Sequence, residues 1–427
     1  MEQIIPEAFL KGNKIHWPVK DWENKVYLGL LSGFAISLFL PLLFTNIFTI
    51  LLTTLSIYIF IIKKPFKDRK NKAYLVLTVS LYISFLIGLF YSENIDEGLN
   101  SLVKKLSLLL FPLIFYINPK LSQDRQTGLL NIYLISAVIV SIFCIASSFY
   151  NNIDISNLGA VDWEAITYHN LSDAIGFHAI YLSMYVSFAL FILLFQWPEL
   201  QGKLKVAAVF CLLVLSIFLV LLSARIVLLA FLLITFTATL VYAYQKREIF
   251  KFTGIYIIVL LTCVVVTLSI PTLQTRVKEA VNYNSEYSID KQWGGRAMRL
   301  LKWECCIKII KENPVIGVGT GSEQDFLQEC YIEEKFYPLL HWPEIKFNAH
   351  NQYFQSAIAT GIIGFSILLA NICFALVIAV RRRQYLYLSF LILISICFLT
   401  ESMLQSNKGI VFYSFFNSFF LFSTKRN

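Results

Sequence analysis

The sequence predicts an all-α fold: a polytopic bundle of about twelve membrane-spanning helices with one large loop outside the bilayer. Of 427 residues, 57% are apolar and only 15% charged, too little polar surface for a soluble globule of this size. Apolar segments recur with short polar gaps, and about 20 residues is what a helix needs to cross about 30 Å of hydrocarbon. Such segments satisfy their own backbone polar groups, so helices are expected rather than a barrel.

Spans are expected near residues 26–44, 46–62, 73–91, 106–118, 129–149 and 175–195. Six more follow near 205–222, 226–244, 252–271, 352–380, 384–400 and 409–423. The fourth is short, and the tight hairpins at Leu43 to Asn46 and Ser223 to Arg225 could be re-entrant, so ten to thirteen crossings fit the same pattern. Three parts result: an N-terminal bundle over 1–271, an outer loop domain over 272–349, and a C-terminal bundle over 350–427.

Orientation follows from the short loops, because Lys and Arg are retained on the cytoplasmic side. The gap 63–72 holds six of them, 246–251 three and 381–383 three, whereas 150–174 holds none but carries Asp154, Asp162, Glu164 and Asp173. Lys104 and Lys105 are the main exception. Both termini are therefore expected inside. No cleavable signal is expected in the polar first 25 residues, where Trp17 and Trp22 suit the interface, and the first span would double as the insertion signal.

The net charge of +9 is mostly a topology signal, placed where anionic headgroups hold it, and implies no nucleic acid. Of eight cysteines, Cys144, Cys211, Cys263, Cys373 and Cys397 fall in spans and read as small apolar residues. Cys305, Cys306 and Cys330 lie in the outer segment without metal-ligand spacing, in either redox state. No metal or cofactor is expected.

Residues 272–349 break the membrane pattern. This stretch of 78 residues carries ten Lys or Arg, and a loop this long escapes the charge rule, so external anions are the natural cause. A helix is expected from Arg296 to Glu312, ended by Asn313-Pro314. On it Arg296, Arg299 and Trp303 share one face. Two guanidiniums there make a fork for a diphosphate, or belong to an amphipathic helix touching lipid phosphates. Gly317-Val318-Gly319-Thr320-Gly321 looks superficially like a nucleotide loop but lacks a preceding strand, so a flexible turn near substrate is expected instead. At Asn348-Ala349-His350-Asn351, a histidine at a membrane boundary is either a general base, an interface hydrogen-bonder or a metal ligand.

His350-Asn351, then nine residues, Gly361, two residues and Gly364 resembles the signature of the O-antigen ligase and polymerase superfamily of bacterial envelope glycosyltransferases. Arg299-x-x-x-Trp303 followed by Pro314-x-x-Gly317-Val318-Gly319 is similar to that family's periplasmic-loop pattern. Glu401-Ser402, Gly409-Ile410 and Ser223-Ala224-Arg225 agree further. The resemblance implies a GT-C-like, inverting, metal-independent transferase in the bacterial inner membrane, using an undecaprenyl-diphosphate-linked glycan on the periplasmic face. His350 would then be the catalytic base with Asn351 orienting it. Arg225 and Arg299, with Arg296 as second or substitute, would hold the diphosphate, although Arg225 also reads as a lipid-phosphate anchor.

Glu401 is either an acceptor-binding acid or the partner of a buried arginine. Tyr168, His169, His178 and Tyr181 flank the sixth span, where they line the acceptor or sugar path or form an interfacial aromatic belt. Ligation to lipid A core is the favoured activity, because the pattern after His350 fits that branch. Polymerisation on the lipid carrier is the alternative. A secondary transporter is the reading from another class, disfavoured by the short gap 196–205 and the lack of a visible repeat.

Overall fold

The computed structural model describes residues 21–63, 69–152, 162–246, 249–275, 295–340 and 346–423. Helices α1 (Asp21–Ser37), α2 (Leu42–Lys63), α3 (Arg69–Leu89), α4 (Ile95–Lys105), α5 (Ser107–Ile117) and α6 (Gln123–Asn152) come first. Next are α7 (Tyr168–Asp173), α8 (Ala179–Gln196), α9 (Gly202–Leu221), α10 (Arg225–Lys246) and α11 (Ile249–Ser269). The outer segment contributes α12 (Gly295–Glu312), α13 (Glu323–Glu333) and α14 (Tyr337–Leu340), and α15 (Gln352–Arg381), α16 (Tyr385–Cys397) and α17 (Asn407–Phe422) close the chain. No strand occurs among the described residues.

Each expected span overlaps a helix, but the first, 26–44, crosses the non-helical residues 38–41 between α1 and α2. Among the described residues, seven helical stretches are long and apolar enough to cross a membrane: Leu42–Ile62, Lys72–Leu89, Ile95–Ile117, Gln123–Asn152, Ala179–Glu199, Gly202–Leu221 and Gln352–Arg381. Shorter apolar helices run over Arg225–Val241, Tyr256–Ser269 and Tyr385–Cys397. The first hairpin lies earlier than expected. Pro41 lies in the break between α1 and α2, so residues 43–46 are already helical. The second is where expected, with Ser223 at φ +51° between α9 and α10.

The last helix is the centre of the bundle. Every residue of α17 from Gly409 to Phe422 is buried, as is α8 from Ala179 to Leu193 except Tyr181. Ser414 and Asn417 explain why α17 is withdrawn from lipid: in hydrocarbon these groups need protein partners. Ser414 donates to the Ser107 carbonyl at 2.6 Å, and the Tyr387 hydroxyl to Asn417 Oδ1 at 2.6 Å. Around them Phe415 meets Phe34 at 4.5 Å, Phe416 meets Phe188 at 4.6 Å and Phe412 stacks on Tyr185 at 4.2 Å. Lipid tails are as apolar as these rings, so close fit and ring-edge contacts of about 0.5–1.5 kcal/mol each hold the bundle rather than water exclusion.

Contacts between helix ends form two groups. At one end Arg382 donates to the Leu421 carbonyl at 2.8 Å and lies over the Tyr74 ring. At the other, Lys408 reaches the Leu38 carbonyl at 3.2 Å and the Ser92 and Ser322 hydroxyls meet at 2.9 Å. Lys104 and Lys105 lie in the last turn of α4 rather than in a loop, and only Lys104 is exposed. Lys105 is fully buried, bonded to the Ser101 hydroxyl and, at 3.1 Å, to Gln405 Oε1, while Lys104 pairs with Glu97 at 3.7 Å.

The outer segment has its own small core of Leu301, Cys306, Ile309, Leu327, Tyr331 and Leu339. A disulfide joins Cys305 of α12 to Cys330 of α13, and Cys306 is a free, buried thiol.

Candidate active site

The site begins at a break in α15. Thr360 and Gly361 leave helical geometry, Gly361 at φ +62° and ψ −163°, a region open essentially only to glycine. The freed carbonyls of Ile358 and Ala359 accept from the N–H groups of Val318 at 2.9 Å and Gly319 at 3.0 Å, and Ile362 N–H returns to the Pro314 carbonyl at 2.9 Å. A Cβ on Gly361 would stand 2.2 Å from the Val315 oxygen, and one on Gly317 2.3 Å from the Ile358 oxygen. The two glycine motifs therefore interlock.

This corrects the expectation of a flexible turn near substrate. The loop is buried, and its amides are spent: Thr320 N–H bonds the Gly88 carbonyl at 3.0 Å and Gly321 N–H bonds Glu323 Oε2 at 2.6 Å. The amides of residues 318–321 are therefore not free to cradle a phosphate.

The same clamp fixes the start of α15. Asn351 caps it, its Oδ1 accepting from Tyr353 N–H at 2.9 Å and Phe354 N–H at 3.2 Å, and its Nδ2 donates to the Leu399 carbonyl at 3.1 Å. Its backbone N–H bonds the Ser402 hydroxyl at 3.2 Å. Gln352 N–H bonds the Phe398 carbonyl at 2.8 Å, and Gln355 accepts from Ala349 N–H at 3.1 Å. His350 is held at φ +44°, its N–H on Asn348 Oδ1 at 3.0 Å. An L-residue in this left-handed region costs on the order of 1–3 kcal/mol. The bonds on both sides maintain it.

His350 Nδ1 lies 3.4 Å from Glu401 Oε2, and Arg299 Nη2 donates to Glu401 Oε1 at 3.0 Å. Glu401 is 4% exposed. Burial pushes its carboxyl up, but the His350 hydrogen bond and the charges of His350, Arg299 and His178 outweigh that and hold it below the ordinary range. Glu401 is thus the partner of both an arginine and the histidine. Arg299 is directed into the protein rather than at lipid headgroups, which removes the surface-helix reading for that residue. Its Nε is buried without a partner among the described residues.

Trp303 fastens the site instead of offering a face: its indole N–H donates to the Ala349 carbonyl at 3.1 Å, and its ring meets Phe354 edge-on at 5.9 Å. A groove of about 480 Å³ opens beside these two rings.

His178 and Tyr181 do share a face, their rings 5.6 Å apart. His178 caps α8, and Glu401 and His350 are near enough to act on it electrostatically. Arg225 opens α10 and is exposed. The charges acting on Glu401 are those of His350, Arg299 and His178, so Arg225 stands outside that immediate set. The Arg296 side chain lies outside the described residues.

Lys302, Gln352 and Gln355 escaped sequence reading. Lys302, one turn beyond Arg299, is 3% exposed and lies over the Phe347 ring at 4.2 Å. Burial and the Arg299 charge bring its pKa down to about 8, Glu401 opposing them. Its spacing from Arg299 was the available signal, as was polarity at the head of an apolar span for the glutamines.

These features define a multi-pass helical membrane protein with a buried carboxylate that couples a strained histidine to an arginine at one end of the bundle. Residues 210–369 match the family model described as O-Antigen ligase, a likeness that covers under half of the chain. The match includes Arg225, Arg299, Trp303, His350 and both signature glycines, but not Glu401, His178 or Tyr181. No curated protein matches the chain.

Proposed function

We propose that this protein is an O-antigen ligase-type glycosyltransferase. It moves a glycan from undecaprenyl diphosphate to an acceptor hydroxyl, that of lipid A core, at the periplasmic face of the bacterial inner membrane. The reading includes twelve crossings. A disulfide in the outer segment suits an oxidising compartment.

The observation that carries the reading is Glu401 bridging His350 and Arg299. A carboxylate facing Nδ1 favours the proton there, which leaves His350 Nε2 as a proton acceptor. The acceptor hydroxyl gives its proton to Nε2 while its oxygen attacks the anomeric carbon. The bond to the diphosphate breaks with its electron pair on the leaving oxygen, and attack from the opposite side inverts the centre. Glu401 stabilises the imidazolium formed. The remaining donors of Arg299 meet the growing diphosphate charge, with Lys302 behind it and Arg225 at the membrane-facing approach. A positively charged frame of this kind does the work without a metal.

Purified protein given undecaprenyl-diphosphate glycan and core acceptor tests this. Coupled product and free undecaprenyl diphosphate are expected, and no transfer overturns the reading. Gene deletion separates the branches: a ligase defect strands long glycan on the carrier, whereas a polymerase defect leaves one repeat unit on core.

A further inference from the structure

Two imidazoles share the first amides of α8. Ile180 N–H points at His178 Nδ1 at 3.4 Å, and Ala179 N–H at His169 Nδ1 at 3.5 Å. The two rings meet edge to face at 4.3 Å. A nitrogen that accepts from a backbone amide carries no proton, so each neutral ring keeps its proton on Nε2. The amides at a helix start also oppose a second proton, since the dipole there is positive. The groups facing His178 are His169 of α7, Tyr181 of its own helix, Glu401 after α16 and His350 before α15.

We propose that His178 is a neutral hydrogen-bond donor of the reaction site, its Nε2–H bonding an oxygen of the acceptor sugar while His350 takes the proton of the attacking hydroxyl. The proposal rests on the transferase reading above. His178 is an exposed residue at the start of α8, so part of it is open to a ligand. The protein packed around the rest of the ring, the neighbouring His169 and His350 lower its pKa, with Glu401 opposing. Neutrality has a purpose here. A charged His178 would compete with His350 and Arg299 for Glu401, whereas a neutral one binds a sugar oxygen without disturbing that pairing.

Two substitutions separate the donor from the helix cap. His178→Asn places an oxygen where Nδ1 was and keeps the cap, but its amide is too short to reach the site. His178→Gln carries an N–H to the position of Nε2 and gives up the cap. A neutral hydrogen bond is worth about 0.5–1.5 kcal/mol, so the acceptor KM of the Asn variant should rise about two- to twelvefold. Its donor KM and melting temperature should stay as in the wild type, and the Gln variant should recover acceptor KM despite a lower melting temperature. Nitrogen NMR of labelled histidine should show His178 neutral and Nε2-protonated at pH 6. A wild-type acceptor KM in the Asn variant, or an imidazolium at pH 6, overturns the inference. Wild-type protein that transfers nothing defeats instead the reading beneath it.

Discussion

Replacing Glu401 with Gln removes one charge from the centre of the site at constant shape. In the wild type Oε1 serves Arg299 at 3.0 Å and Oε2 faces His350 at 3.4 Å, with the side chain 6% exposed. In the variant the amide oxygen must turn to Arg299, since a guanidinium offers only donors. The NH2 group then faces His350 Nδ1. That nitrogen becomes an acceptor, the ring proton moves to Nε2, and the base is lost to the wrong tautomer. General-base catalysis contributes about a hundred- to ten-thousand-fold, so kcat should fall by that order while donor KM changes little. Folding should survive, because the Arg299 bond persists in weaker form.

Acidity gives a second readout. The folded pKa of Glu401 lies below its ordinary 4.5, so its stabilising contribution is complete above about 4.5 and is lost as pH falls through the folded value. Melting temperatures of wild type and variant should differ at neutral pH and converge on acidification. Initial transfer rates in nanodiscs, with melting curves from pH 3 to 8, decide the matter. A Gln variant that transfers within about threefold of wild type at neutral pH would refute the dyad.

His350→Ala should lose turnover by about the same factor yet bind donor normally. Arg299→Ala should weaken both donor binding and turnover, with Lys a partial rescue for lack of a planar fork; equal losses from both sites would merge the two roles. Ser285→Cys should react with an impermeant thiol reagent on intact cells stripped of outer membrane, and reaction only after inner-membrane permeabilisation would invert the topology. Transfer should persist in EDTA, whereas loss reversed by magnesium or manganese would require a metal in place of the arginines. Gly361→Ala should lower the melting temperature sharply, since the backbone there is strained for any side chain and the new Cβ would meet the Val315 oxygen at 2.2 Å. An unchanged melting curve would dissolve the interlock with the Gly317 loop.

The amino-acid sequence by itself determined the class of protein, because membrane insertion is read from local quantities. Run length, basic-residue bias and the proline that stops α12 each act over a few neighbours, so helices near the expected spans and the ending at Glu312 were legible. His350, Asn351 and Arg299 stood out in the same way, since their spacing follows one stretch of chain. Tertiary structure decided what depends on residues far apart. Glu401 stands 102 positions from Arg299, and only folding shows that one carboxylate serves both that arginine and His350. The glycine loop looked free because its partners, Ile358, Ala359 and Gly88, belong to other helices. Lys105 looked like a misplaced loop charge until Ser101 and Gln405 enclosed it. Hydropathy cannot rank helices by depth, since lipid and protein interior are equally apolar, so the central place of α17 came from its polar Ser414 and Asn417 finding partners only inside the bundle.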